Sequence, residues 1–386
     1  MLSKLTGVPV VSISPRLGRI DRQVEYALHG WAQQNDVVIN IAEVLPAGLT
    51  EARLYSAYVE GPGVGVRKVV LKVLLAGDDL DGEPGRHRRA LNADRDFARW
   101  HLVEQAFAPV ALADGGWLLF LNVAGDSLQD AAPLAQLAAE PVERYRLQAI
   151  CPAVISGILG NWNADCVSRV LTVRSFLSKA LGSRAPHHVA RLATLLPPAR
   201  RVELPGEQQA LANPLALADG RLRPKRQVRC LIGRRHGDMH AGNIVVPLAV
   251  DRDGDAFWLI DLSRFDRQGL LALDPCYLAA TLAIGWLSEL DGYAQSDMID
   301  VLIDPNRAGT RRIPAPMSRA LLGIGQAGRD WATAEGRGLG DDWADQVRLA
   351  YVACGLLLAG RRAVPDRYRM WCLRLAARAA HQLEIV

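Results

Sequence analysis

The chain has 386 residues, half of them hydrophobic and 22% charged, with a formal net charge of +4. This is ordinary soluble globular composition, long enough for two lobes or two domains with cores of their own. So small a positive excess does not point to a nucleic-acid partner, although a pI near 8.8 leaves room for a local basic patch. The six cysteines (151, 166, 230, 276, 354 and 372) are scattered and form no C-x-x-C pair. Reduced core thiols are therefore expected in place of a disulfide framework or a zinc ribbon. The opening "MLSKLTGVPVVSISPRLGR" lacks the apolar region and cleavage pattern of a signal peptide. The most apolar runs, 276–287 and 351–360, are shorter than the roughly 18–20 residues of a membrane span. A cytoplasmic protein with no membrane partner is expected.

Residues 1–36 read as an N-terminal extension, either an interaction segment or simply part of the small lobe. From 37 to 125 a small β lobe is predicted. Its strands lie in "VVINIAEVL", "ARLYSAYVEG" and "RKVVLKVLL", with the turn signal Gly61-Pro62-Gly63 between the last two. A polar, glycine-rich break, "AGDDLDGEPG", follows. Helix spacing of Phe97, Trp100, Val103 and Phe107 predicts a helix over about 94–108, and "PVALAD" and "WLLFLNVAG" add two strands. The rest, 126–386, reads as a helical lobe, rich in Ala and Leu from 129 to about 217. One hairpin interrupts it: "NIVVPLAV" and "AFWLIDL" are strands joined by the turn "DRDGD". The fold class is α+β: a small antiparallel β lobe, then a larger helical lobe with an inserted hairpin.

The stretch "HGDMHAGNIVV", 236–246, sits at the foot of that hairpin. A hairpin returns its end to its beginning, so Asp238, Asn243 and Asp261 are expected at one rim. Two carboxylates and an amide oxygen are hard ligands of the kind magnesium takes, few from the protein and the rest from water and phosphate. Asp238 is a candidate base for a hydroxyl nucleophile, with Asn243 and Asp261 as metal ligands. Lys72, a lone cation in "VVLKVLL", would be costly to bury without an anion, although a snorkelling surface lysine is the plainer reading of such a residue. In "LPAGLTEARLY", Gly48 and Thr50 could form a phosphate-covering turn, a much weaker signal than G-x-G-x-x-G.

Competing readings of the same residues are poorer. His236 reads as a buried histidine bonding its own loop, and His236 with His240 would make a metal pair only on a helix, which Gly237 and Gly242 oppose. "GDMHAG" brushes against a metallophosphoesterase motif whose downstream elements are missing. "DRDGDAF" has Leu262 where a calcium loop needs Glu. "RLRPKRQVR" (221–229) and "GRHRR" read as solvated basic faces, although a basic strip before the loop could greet an anionic substrate or an acidic partner.

The series of glycine-turn hairpin, strand lysine, helix, two strands, H-G-D-x-x-x-x-N, hairpin and I-D resembles the protein-kinase-like fold. The variant it resembles is that of aminoglycoside phosphotransferases and choline kinases. More narrowly, "RHRRAL…DFARWHLVEQAF", "LNVAGDSL" and "HGDMHAGNIVV" are similar to the kinase-like ternary complex associated domains of bacterial conflict systems. The resemblance covers about residues 37–380 and implies a bilobal fold with ATP or GTP between the lobes. It implies Lys72 on the α- and β-phosphates, Asp238 as catalytic base framed by His236, and Asn243 and Asp261 on magnesium. Gly48 and Thr50 would lie over the nucleotide. Asp274 in "LLALDPCYLAA" matches a later structural element of the family. The acid that pairs with Lys72 is Glu83 or Glu104, with Glu83 preferred as the nearer in sequence. Two departures stand out: Leu262-Ser263 replaces Phe-Gly after the second Asp, and the glycine loop is poor. An alternative is a nucleotide-binding pseudokinase acting as a switch or adaptor for conflict-system partners. Nothing in the sequence separates a small-molecule acceptor from a protein one.

Overall fold

Alternating apolar residues in the first part of the chain build a single six-stranded sheet in the computed structural model. The described residues are 10–15, 20–45, 52–74, 82–125, 129–182, 190–222, 224, 226–252, 254, 256–304, 310–334, 339–361 and 364–383. They divide into two compact units, 1–131 with 258–260, and 132–257 with 261–386. Among the described residues, no helix is long and apolar enough to cross a membrane.

The first unit contains β1 (Val11–Ile13), α1 (Arg22–Asn35), β2 (Val38–Leu45), β3 (Arg53–Gly61), β4 (Gly65–Leu74), α2 (Gly82–Leu91), α3 (Arg95–His101), β5 (Gln105–Ala111) and β6 (Trp117–Asn122). The strand order is β1-β2-β3-β4-β6-β5. β1 runs parallel to β2 and the other pairings are antiparallel. One sheet face carries Ile39, Ile41, Ala57, Val59, Val69, Leu71, Val73, Leu118 and Phe120, in a core that α1 closes with Val24, Leu28 and Trp31. The Trp31 ring stacks on Phe120 at 4.3 Å and meets Phe107 edge-on at 5.0 Å. The described residues of 10–36 thus pack as part of this unit, because their apolar side chains complete the core.

Two predicted boundaries differ. The helix expected over 94–108 ends at His101, and β5 begins at Gln105. The last four residues of the expected glycine-rich break, 82–85, are helical, since α2 spans Gly82–Leu91. Proline is tolerated in a helix's first turn, where its missing N–H is not needed, so Pro84 does not prevent this start.

The second unit holds β7 (Ala131–Pro133), α4 (Leu134–Ala139), α5 (Leu147–Ser156), β8 (Val167–Thr172), α6 (Val173–Leu181), β9 (Arg201–Val202), β10 (Leu211–Ala212), α7 (Pro214–Ala218), β11 (Gln227–Arg235) and β12 (Ile244–Pro247). After the short β13 (Trp258–Leu259), which groups with the first unit, come β14 (Asp266–Leu270) and five helices. These are α8 (Leu273–Trp286), α9 (Gly292–Ile303), α10 (Ala315–Thr333), α11 (Gly340–Gly360) and α12 (Asp366–Gln382). β11 is the centre of a three-stranded antiparallel sheet, flanked by β8 and β14. α11 and α12 pack so closely that a Cβ at Gly355 would stand 2.5 Å from the Cys372 carbonyl oxygen. Glu207 is gripped by Arg374 at 2.7 Å and Arg378 at 3.0 Å, tying the 203–213 segment to α12. The architecture is a mixed α+β one, a sheet-based unit and a mainly helical one.

Candidate functional site

In the first unit, Lys72 lies on β4 between Leu54 of β3 and Leu119 of β6. Strand alternation turns it away from Leu71 and Val73 of the main core and onto the face with Val70 and Leu74, which pack on Val103, Leu119 and Leu121. Its side chain is 5% exposed, and Nζ lies 2.6 Å from Glu83 Oε1, itself 9% exposed. Burial of either charge alone would be costly, and the close pair answers that cost. Glu83 stands in the first turn of α2, where a carboxylate also suits the helix dipole. On the same helix His87 bonds the Val103 carbonyl through Nε2 at 2.7 Å, holding α2 beside β5. Glu104 is exposed and lies after α3, not on it. Gly48 and Thr50 lie outside the described residues.

In the second unit, β11 leads directly into the loop 236–243. Buried Asp274, in the first turn of α8, accepts the backbone N–H of His236 at 2.6 Å and of Gly237 at 3.1 Å. Burial pushes its carboxyl above the usual value, against the pull of Arg235, His236 and these amides. Arg235 Nε is 3.4 Å from Asp274 Oδ1, and Nη2 donates to the Gly237 carbonyl at 3.3 Å. Gly237 has φ +85°, and a Cβ there would collide with the Arg264 carbonyl. Only glycine meets both demands.

The imidazole of His236, fully buried, accepts the Asp238 N–H at Nδ1, 3.3 Å away, which leaves the proton on Nε2. His236 is a frame for the loop. The Asp238 carbonyl takes the His240 N–H at 2.9 Å and the Asn243 side-chain N–H at 2.9 Å, so the Asn243 amide has a fixed orientation. His240 Nδ1 in turn accepts the Gly242 N–H at 3.1 Å. These local bonds make a short 3₁₀ turn at 241–243, so the two histidines are not a helical metal pair. Burial holds His240 below the usual histidine value, and its ring feels the charges of Asp238, Arg361, His236 and Asp261. Those groups therefore share one neighbourhood.

Asp261 heads a 3₁₀ turn, 262–264, in the left-handed conformation, φ +59° and ψ +64°. A non-glycine residue there is strained by roughly 1–3 kcal/mol, and Asp261 is one of two such residues among those described. The turn is anchored by Phe265, which stacks on buried Trp162 at 5.6 Å.

The donors fit magnesium as a set. Asn243 and Asp261 offer an amide oxygen and a carboxylate, and a small hard cation that keeps most of its waters needs no more from the protein. Among the described residues no group of three or more His, Cys, Asp or Glu side chains is arranged to hold a metal.

One residue of the site has no signal in the sequence. Arg361, immediately after α11, donates from Nη2 to Asp238 Oδ1 at 2.6 Å. Its guanidinium lies over the Tyr277 ring at 5.4 Å. In the basic segment at 221–229, the described arginines Arg221, Arg226 and Arg229 remain 40%, 43% and 54% exposed at the side chain, as a solvated face does, while each has an acidic partner within the chain. Arg221 pairs with Asp219 at 2.6 Å, Arg226 pairs with Asp345, and Arg229 lies 3.7 Å from Asp342.

No protein-family model matches the sequence, and no curated protein matches it. Among solved structures, the chain is similar to a Ralstonia eutropha protein described as a "putative aminoglycoside phosphotransferase". The match covers 94% of this chain and 99% of that one, at 13% identity and a TM-score of 0.45.

Proposed function

We propose that the chain is a magnesium-dependent phosphotransferase that moves the γ-phosphoryl group of ATP or GTP to a hydroxyl. The observation that supports this most is the 236–243 loop. Asp274 braces it through two backbone amides, and the loop's own bonds fix Asn243 beside Asp238. In the reaction the acceptor oxygen attacks the γ-phosphorus and a new P–O bond forms. The bond to the β,γ-bridging oxygen breaks, the nucleoside diphosphate leaves, and the hydroxyl proton passes to the Asp238 carboxylate. Asn243 and Asp261 would hold the magnesium ion, which when bound neutralises phosphate charge. Lys72, kept in place by Glu83, would pair with the α- and β-phosphates, and Gly48 and Thr50 would cover them. The acceptor is a small molecule or a protein, and a place among the proteins of a bacterial conflict system rests on the motif resemblance.

A second reading is a nucleotide-binding switch without turnover. The contact of Arg361 with Asp238 favours it, because one carboxylate oxygen of the base is engaged.

Nucleotide binding tests what the two readings share. Equilibrium binding of ATP should require magnesium in the wild type. It should weaken about tenfold or more in Lys72→Met, as expected for loss of a charge-assisted bond. In Asp261→Asn the magnesium requirement should be lost together with affinity. ATP binding that ignores magnesium and both substitutions would overturn the site.

A further inference from the structure

We propose that the acceptor carries an oxyanion, a carboxylate or a phosphate, close to the hydroxyl that is phosphorylated, and that Arg361 recognises it. This rests on the phosphotransferase reading and names its acceptor class. Arg361 and Asp238 are 18% and 10% exposed at the side chain, and their contact at 2.6 Å uses only Nη2 of the guanidinium. Nη1 is buried and has no hydrogen-bond partner among the described residues. A buried guanidinium N–H left unpaired is costly, and such groups in native proteins call for a missing partner. An oxyanion is the partner a guanidinium fork binds best, because it can bond two nitrogens at once.

The surrounding charges point the same way. The small cavity beside Asp238 is lined by Arg235, Tyr277, Asp274 and Arg361 among others. Each of its two carboxylates already has an arginine: Asp238 has Arg361, and Asp274 has Arg235 at 3.4 Å. A cationic acceptor would find those counter-charges taken, whereas an anionic one meets the unsatisfied Nη1. The cavity is about 20 Å³, room for roughly one water. An acceptor therefore enters only if the Arg361 side chain swings. Arg361 is the C-cap residue of α11, with φ −72° and ψ +136°. Moving onto the acceptor's oxyanion frees Asp238 Oδ1 for the hydroxyl proton. Arg361 thus keeps the base occupied until an acceptor of the right charge arrives.

Binding of small hydroxyl compounds to the full chain tests this. Glycerol 3-phosphate and D-glycerate are the anionic probes, with glycerol and choline as the neutral and cationic controls. The proteins are wild type, Arg361→Gln, Arg361→Lys and Asp238→Asn, each also assayed for ADP formation from magnesium-ATP in the presence of each probe. At least one anionic probe should bind wild type more tightly than either control. Arg361→Gln should weaken that binding about tenfold or more, Arg361→Lys should restore part of it, and Asp238→Asn should retain it. Preference for glycerol 3-phosphate would assign a phosphate, and preference for glycerate a carboxylate. Anionic probes that bind no better than glycerol, or equally well without the arginine, overturn the acceptor class. If ADP formation is nonetheless lost in Asp238→Asn, the phosphotransferase reading survives that failure. Arg361-dependent anion binding with no ADP formed by any of the proteins overturns the enzyme reading, and the acceptor role with it.

Discussion

Asp274 is a residue whose charge serves geometry. Its two oxygens satisfy two consecutive amides of the loop, a buried one at His236 and a part-buried one at Gly237, and removing them leaves both unpaired, at roughly 1–3 kcal/mol for the buried one and less for the other. Asp274→Ala should therefore lower unfolding stability in urea by about 2–5 kcal/mol. The pH dependence has a definite sign. A carboxyl raised above its ordinary 3.8 by burial contributes most below that value and loses its contribution as pH rises through the raised one. Asp274→Asn, which does not titrate, should flatten that part of the stability–pH curve. An unchanged curve would mean Asp274 is not what titrates there. At this scale the sequence was partly legible. Lys72 stood out as a cation among apolar neighbours, and Asp238 and Asn243 by their spacing across one short loop. Arg361 did not, because it meets Asp238 from 123 residues away and one arginine after a long helix resembles any other.

Elements were legible where one pattern ruled and misread where two patterns ran together. The helix expected over 94–108 joined Phe97 and Trp100 to Val103 and Phe107 by their spacing. Yet Trp100 is 66% exposed, Val103 packs in one cluster and Phe107 against another. The spacing thus joins three environments into one apparent helical face. The start of α3 was readable, since the Asp94 side chain accepts the Phe97 N–H at 3.0 Å, an ordinary N-cap. α2 was missed because Gly82, Pro84 and Gly85 weigh against a helix, whereas its fixed points, Glu83 to Lys72 and His87 to Val103, lie elsewhere in the chain. The helix α1 belongs to the core of the first unit, and Trp31→Ala should cost about 3–5 kcal/mol of its stability. A variant as stable as wild type would return the segment before residue 37 to the status of an appendage.

Across the whole chain, chemistry that needs thiols is absent from the proposed mechanism, and the cysteines are placed accordingly. Burial pushes Cys151, Cys230, Cys354 and Cys372 up to about 12, and Cys276 well above its usual value. Cys166 is partly exposed. Thiolates are the reactive form, so titration of the native protein with a thiol reagent at mild pH should find at most Cys166, and all six after unfolding. Rapid native modification of Cys276 or Cys354 would show the helical unit opening around α8 and α11. The division of labour proposed for the chain is broader: a buried lysine–glutamate pair in the sheet-based unit, and a braced acidic loop with Asp261 in the helical one. The central claim is that this set performs phosphoryl transfer. Steady-state ADP formation from magnesium-ATP in the presence of the anionic hydroxyl probes, by wild type, Asp238→Asn and Asp261→Asn, tests it most directly. Turnover by wild type that falls about 10²–10⁴-fold in Asp238→Asn, the range for a lost general base, and falls as well in Asp261→Asn is the predicted result. Turnover that survives both substitutions, or is absent from wild type while ATP still binds, would contradict it.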